Sequence, residues 1–249
     1  MEVHAHSHTA RKKWTHYFWE FLMLFLAVFC GFLAEYQLEH KIEKDREKQY
    51  MKSMIVDLKT DSSRIARIID NTTRQVSGFD SLLQNIYHTP YTDSSIKTLY
   101  YLKETYTLFK YTIYFSKATI SQLKNSGGLR LIRKRAVADS IISYDIASER
   151  IEGQGEGVDF AGKKLLDLSV KIFDGEFVID FNSLSNYKEI LSSNKKFTLL
   201  SNDEKLIREY ANLAKFKKDV IINYIRQLTT LQSRIPVIIQ FLKTEYSLN

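Results

Sequence analysis

The stretch MKSMIVDLKTDSSRIARIIDNTTRQVSGFDSLLQNI, residues 51–86, decides the fold. Its apolar residues recur at alternating steps of four and three, the spacing of one helix face, over about five heptads. The pattern predicts a long helix with a coiled-coil-like seam, covered either by a second copy or by another helix of the same chain. The eleven seam positions are Met51, Ile55, Leu58, Ser62, Ile65, Ile69, Thr72, Val76, Phe79, Leu83 and Ile86, and all but Ser62 and Thr72 are apolar.

The residues on either side of the seam bound this helix. Proline disfavours helical backbone in the residue before it, so His88-Thr89-Pro90 predicts the helix end. Residues 39–50 are mostly charged and predict a solvated helical stalk. We therefore expect an α-helical soluble domain over residues 51–249, preceded by a stalk.

An apolar run precedes the stalk. Residues 21–34, FLMLFLAVFCGFLA, carry no charge, and aromatic residues flank them on both sides, as at the two interfaces of a membrane span. No small-x-small cleavage site follows, which disfavours a cleaved signal peptide, and a segment that is apolar all round disfavours a soluble core helix. The run predicts a transmembrane anchor over residues 14–38.

Residues 1–13 predict a flexible, basic tail that contains histidines. Arg11, Lys12 and Lys13 abut the span without a close acidic residue, which favours a cytoplasmic N-terminus and a periplasmic main domain. A bare count of Lys and Arg beyond the span favours the opposite orientation. Those residues belong to a large domain, however, where the counting rule is weak.

Composition narrows the class of protein. The 249 residues include 9 Gly and 2 Pro, which disfavours turn-rich sandwiches and barrels. One Cys excludes a disulfide framework within the chain. The net charge of +7 is spread among acidic neighbours, and the basic cluster at residues 130–135 lacks aromatic residues for base stacking. We therefore expect no nucleic-acid partner.

The rest of the chain also predicts helices, and hence an all-α, elongated helical bundle. The three glycines at residues 153–157 predict a flexible joint, and Pro236 predicts a kink or a local break. The expected segments are a helix from Asp93 to Lys124, a helix from Leu129 to Ile151, a shorter helix to Phe173, an irregular region to Phe197, and a long helix over residues 203–246 that opens with a cap at Ser201-Asn202-Asp203-Glu204.

Three segments carry a resemblance. They are the acid-led apolar helix, the stretch from Tyr50 to Lys59, and the Ser-Gly-containing stretch from Thr119 to Ile132. Together they resemble a family of uncharacterised bacterial single-pass membrane proteins. The resemblance implies a bacterial inner-membrane anchor and an α-helical domain. It implies no activity, cofactor or catalytic residue.

Four residues of the anchor are candidates for a role in the membrane. Glu20 is the ionisable residue within the span, and such acids are functional hypotheses by default. We expect it at the interface, where it can reach headgroups, Lys12, Lys13 or His16. An ion or proton pathway in a transport complex is the alternative. Small residues at Ala27, Gly31 and Ala34 would let two anchors pack closely.

The segment from Gly127 to Arg135 has two interpretations. Gly127 and Gly128 suit a tight turn between two helices, which is the structural interpretation. Alternatively, their backbone N–H groups with Arg130 and Arg133 would form an anion or lipid site. The Gly-Lys-Ser/Thr of a nucleotide-binding P-loop is missing.

Other chemistry is sparse in the sequence. His4, His6 and His8 alternate in the tail and are weak candidates for a metal site. Cys30 lies inside the span, and no catalytic motif with a nucleophile and a base is found. We therefore expect no cofactor and no enzyme. The sequence predicts a membrane-anchored scaffold, sensor or assembly partner, with the lipid bilayer, further copies of itself and possible envelope proteins as partners.

Overall fold

The computed structural model describes residues 14–125, 127–177 and 188–248. Over these residues the protein is all-α, as the sequence predicts, with one isolated β-bridge between Phe173 and Leu199. A π-helical turn at Lys103–Thr107 directly follows the helix Asp93–Leu102, and 3-10 turns lie at Gly128–Leu131 and Gly175–Phe177. The α-helices are α1 (Trp14–His88), α2 (Asp93–Leu102), α3 (Ala118–Asn125), α4 (Arg135–Ile172), α5 (Lys188–Ser192) and α6 (Glu204–Tyr246).

Residue contacts divide the chain into two compact units between Tyr50 and Met51, within α1. In the first unit the described residues are helical throughout, and the apolar side chains of the predicted anchor are exposed except for the half-buried Leu22. An 18-residue window there has a mean hydropathy of 2.0, and none of it is buried. Among the described helices, α1 is the one with a segment long and apolar enough to cross a membrane.

The second unit is built on the last part of α1 together with α4 and α6. Three polar contacts join α1 to α6: Ser62 to Gln232 at 3.1 Å, Asp80 to Lys218 at 2.7 Å, and Tyr87 to Asn212 at 3.4 Å. Residue numbers rise along α1 as they fall along α6, so these two helices are antiparallel. The start of α4 meets the end of α6, where Lys134 pairs with Glu245 at 2.9 Å.

The seam of α1 is covered within the chain. Every seam position from Met51 to Ile86 is buried or half-buried in the single chain. Six of them are fully buried or nearly so: Met51, Ile55, Leu58, Ile65, Thr72 and Phe79. Since the seam is already covered, contacts between copies would need another surface.

Helix ends follow the local signals. Helix α1 ends at His88, before Thr89-Pro90, as predicted. Asp203 caps α6, because its side chain accepts a hydrogen bond from the backbone N–H of Lys205 at 2.9 Å. Helix α6 continues through Pro236 to Tyr246, so a local break there is wrong, and the alternative of a kink stays a prediction.

The predicted helix from Asp93 to Lys124 is interrupted. Regular helix stops after Thr107 and resumes at Ala118, and residues 108–117, here called the irregular segment, form neither helix nor strand. The segment contains Tyr-Thr-Ile-Tyr-Phe at 111–115, a run of β-branched and aromatic residues that favour extended backbone. Its burial alternates accordingly, with Ile113 and Phe115 buried and Tyr114 74% exposed.

The predicted glycine joint is also wrong, since α4 runs unbroken through Gly153, Gly155 and Gly157. Gly155 is buried, and a Cβ added there would lie 2.5 Å from Cγ2 of Thr112 in the irregular segment. The glycine is therefore required by the close approach of the irregular segment to α4.

Candidate functional site

Side chains of α1, α4 and α6 form hydrogen bonds with backbone N–H and C=O groups of the irregular segment and of the residues next to it. A chain that leaves regular structure inside a core must find partners for its N–H and C=O groups elsewhere. Here the partners come from all three long helices. The bonds run from Ile113 N to Tyr224 Oη (3.0 Å), Phe115 N to Glu152 Oε1 (3.3 Å), Ser116 N to Asp61 Oδ1 (2.9 Å), Thr119 N to Asp57 Oδ2 (3.3 Å), Gln75 Nε2 to Tyr106 O (2.8 Å) and Phe109 O (3.0 Å), and Arg64 Nη1 to Tyr114 O (3.0 Å).

Two aspartates one turn apart on α1 are central to this arrangement. Asp61 is fully buried and also accepts the hydroxyl of Tyr144 at 2.6 Å. Burial and the negative charge of Asp61 raise the pKa of the Tyr144 hydroxyl far above its usual value, so the phenol stays protonated and donates. Asp57 accepts the N–H of Thr119 in the first turn of α3, where a carboxylate is favoured. We assign these carboxylates a structural role.

Two buried lysines lie beside the irregular segment. Lys103, in the π-helical turn, is paired with the buried carboxylate of its neighbour Glu104 at 2.5 Å. Lys217 on α6 is 2% exposed and donates to the carbonyl of Thr107 at 2.6 Å. Its ammonium also lies 5.7 Å above the ring of Phe79. Among the described residues, Lys217 forms no ion pair with any carboxylate.

Lys217 lines a cavity of about 170 Å³ between α4, α6 and the irregular segment. Leu108, Phe109, Val158 and Leu166 form much of its apolar lining. Three lysines and one aspartate also line it, and Asp159 pairs with Lys110 at 3.2 Å and with Lys163 at 3.5 Å. The lining thus carries more positive than negative charge.

The electrostatics of this cavity follow from burial and pairing. Burial lowers the pKa of the Lys217 ammonium from its ordinary 10.5 to about 8, although the negative charge of Asp159 opposes the shift. The hydrogen bond from Lys110 holds the pKa of Asp159 below its usual value, with help from the charge of Lys163. Asp159 is therefore paired with the two exposed lysines, and it forms no ion pair with the buried ammonium in the described part of the chain.

A second charged surface lies between α4 and α6. A shallow groove there is lined by Arg150, Arg226 and Arg234 beside Gln227. The three guanidinium groups are exposed and form no ion pair with any residue in the described ranges. The side-chain oxygen of Gln227 is buried and has no partner among those residues. The cationic side chains of this groove are exposed to solvent, whereas Lys217 in the cavity is buried.

The structure places the anchor candidates on one exposed helix. Oε1 of Glu20 lies 3.0 Å from Nε2 of His16, one of the contacts expected for an interfacial acid. Gly31 has open space around it, since an added Cβ would meet nothing within 4 Å. Ala27 and Ala34 are exposed as well. Close packing of anchors and a pathway through Glu20 remain predictions.

The structure brings the predicted glycine-arginine segment into one turn. Gly127 has φ = 68°, a left-handed conformation that favours glycine. Gly128 is buried and starts a four-residue 3-10 turn, in which the N–H of Arg130 bonds the carbonyl of Gly127 at 2.9 Å. Arg130 and Arg133 are exposed. This geometry is that of a connecting turn, and the anion-site hypothesis for it remains a prediction.

The histidine hypothesis lies beyond the described part of the chain, because His4, His6 and His8 fall within residues 1–13. Among the described residues, no three His, Cys, Asp or Glu side chains cluster as metal ligands would. Cys30 is exposed in the anchor.

Lys217 is not among the site residues that the sequence predicts, although its position in the sequence carries one signal of burial. It falls on the apolar face of α6, in line with Tyr210, Ala214, Ile221 and Tyr224, where a lysine is out of place. The fold and site therefore define an all-α protein with a candidate membrane span and a lysine-lined cavity. Comparison of the chain with protein families, curated proteins and solved structures finds no match.

Proposed function

We propose that this chain is a membrane-anchored α-helical protein of the bacterial cell envelope that acts as a scaffold, sensor or assembly partner and catalyses no reaction. One observation carries the proposal: the apolar window of α1, with mean hydropathy 2.0, has no buried residue. Leaving a Leu or Phe side chain in water forgoes about 1.5–3 kcal/mol each, and a bilayer would recover that free energy. The resemblance to bacterial single-pass proteins supports the inner membrane as the location.

The anchor is tested by placing charge in the apolar window. A double variant, Leu24→Arg with Val28→Arg, is expected to leave the membrane fraction, because each arginine near the bilayer centre costs about 2.5–3.5 kcal/mol. The measurement is resistance to alkaline carbonate extraction. Val56→Arg with Val237→Arg is the matched control, since those valines are 62% and 68% exposed outside the window. The proposal would be contradicted if carbonate extracted the wild type and the anchor variant equally, or if it extracted the anchor variant and the control variant equally.

The same membranes report orientation, for which we propose a cytoplasmic N-terminus and a periplasmic domain. A single cysteine is introduced as Val237→Cys together with Cys30→Ser. A membrane-impermeant maleimide is expected to label it once the outer membrane is opened. Labelling that requires lysis of the inner membrane would reverse the orientation.

Self-association through the anchor is part of the proposal, because the seam of α1 is covered within the chain. The mass of the full chain in mild detergent, with bound detergent subtracted, is expected to be a multiple of 29.1 kDa. Gly31→Leu is expected to reduce it to one chain, since small residues let anchors approach closely. A Cβ added at Gly31 would meet nothing within 4 Å, so the larger side chain is expected to leave the fold intact.

Leu33→Phe is the control for this experiment, because it enlarges a residue two positions along, on another side of the helix. A single 29.1 kDa chain in the wild type would remove self-association from the proposal. It would leave a partner protein or a ligand as the basis of function.

A further inference from the structure

The buried ammonium of Lys217 is the feature with the least local explanation. Of the two buried lysines, Lys103 has a carboxylate partner and Lys217 has none among the described residues. Its recorded hydrogen bond goes to the carbonyl of Thr107, whereas an ammonium has three donors. Burying a cation without a partner is destabilising, and buried charges in proteins are therefore commonly paired.

The surroundings of Lys217 fit an anion. The other charged groups that face the cavity are Lys110, Lys163 and Asp159, and the aspartate is engaged with the two exposed lysines. Gly162 on α4 keeps space open beside the ammonium, since a Cβ there would lie 3.1 Å from Nζ. An anion in the cavity would therefore meet a cation that burial shields from water and salt.

The other side chains that line the cavity favour a ligand that has an apolar part. Leu108, Phe109, Val158 and Leu166 contribute carbon surface. The volume of about 170 Å³ is similar to the roughly 150 Å³ of an engineered cavity that admits benzene. A bare inorganic anion would leave this apolar surface uncovered.

We infer that the cavity binds a small organic anion, a carboxylate or phosphate with an apolar body, and that the ammonium of Lys217 is its counter-charge. The ligand would lie between α4, α6 and the irregular segment, and would satisfy the free donors of Lys217. This inference is independent of membrane anchoring, because every residue that lines the cavity belongs to the second unit.

The test is calorimetric titration of the full chain in a nonionic detergent, with benzoate as the probe. Benzoate is expected to bind, and benzamide, its neutral isostere, is expected to bind at least ten-fold more weakly. Inorganic phosphate is expected to bind more weakly than benzoate, because it lacks the apolar body. Chloride at equal ionic strength controls for screening.

Lys217→Met is expected to weaken benzoate binding at least ten-fold. This variant should fold, because it replaces an unpaired buried charge with an apolar side chain of similar length. Gly162→Leu fills the space beside Nζ without removing the charge and is expected to abolish binding independently. Lys215→Met, two residues away in α6 and 62% exposed, is the matched control and is expected to leave binding unchanged.

The pH dependence gives a separate readout. Benzoate stays ionised above neutral pH, whereas Lys217, with a pKa of about 8, loses its proton. Affinity is therefore expected to fall about ten-fold or more between pH 7 and pH 9.5 in the wild type. The residual binding of Lys217→Met is expected to stay nearly constant over this range.

Three outcomes would overturn the inference. The first is no benzoate or phosphate binding by the wild type at about 20 mM, a concentration that would nearly saturate a site with a Kd of about 1 mM. The second is equal binding by the wild type and Lys217→Met. The third is a loss of binding in Arg234→Met or Arg133→Met with Lys217→Met unaffected, which would place the anion in the arginine groove or at the glycine-arginine turn instead.

Discussion

The Asp61→Ala substitution is expected to lower the free energy of unfolding by about 3–5 kcal/mol, because it removes the carboxylate that accepts the hydrogen bonds of a buried charged network. Two donors, one buried and one half-buried, would lose their partner at once: the hydroxyl of Tyr144 at 2.6 Å and the backbone N–H of Ser116 at 2.9 Å. Arg64 lies 3.5 Å from the same carboxylate, but it is partly exposed and retains the carbonyl of Tyr114.

Chemical denaturation of the full chain in detergent, followed by circular dichroism, measures this effect. Asp70→Ala is the matched control, because Asp70 lies on the same helix in an exposed pair with Arg74, where the loss should be at most about 1 kcal/mol. Tyr144→Phe combined with Asp61→Ala should recover part of the loss, since it removes one orphaned donor. Equal losses for Asp61→Ala and Asp70→Ala would show that the buried network does not hold the irregular segment.

The second large effect is expected at Gly78, where α1 passes directly under the ring of Tyr106. A Cβ added at Gly78 would overlap the inner atoms of that ring, which cannot swing aside as a side-chain tip does. Gly78→Ala is therefore expected to cost about 2–3 kcal/mol through overpacking, even though alanine favours helix more than glycine does.

Gly153→Ala is the matched control, because it makes the same chemical change inside α4 where an added Cβ meets nothing within 4 Å. It is expected to stabilise the protein by about 0.5–1 kcal/mol. Denaturation midpoints of the two variants should thus move in opposite directions. A stabilising effect of Gly78→Ala would mean that Tyr106 does not pack against α1 as the structure describes.

The glycines show how far local pattern reaches. Gly153, Gly155 and Gly157 have the same spacing signature as a flexible joint, and nothing in their immediate sequence says otherwise. What decides the matter is Thr112, more than forty positions away, which approaches Gly155 and requires a residue without a side chain. Local propensity cannot encode a contact between segments that distant in the chain.

The carboxylates of α1 make the same point. In the sequence, Asp57 and Asp61 are indistinguishable from the ordinary charges of a long helix face. In the structure they accept backbone N–H groups of Thr119 and Ser116. The exposed Asp70, on the same helix, has the same local character in sequence but a different environment.

The sequence by itself determined the all-α class, the long first helix that ends before Pro90, and the capped start of α6. It also determined the apolar segment that we propose as a membrane anchor. These features depend on periodicity, end signals and hydropathy, which act over a few residues. Only the tertiary structure decided that the helix predicted after Asp93 breaks into an irregular segment, and that Lys217 lies buried beside a cavity. Both depend on partners from distant helices, because an interrupted backbone and a buried charge are stable only where other parts of the chain supply their hydrogen bonds.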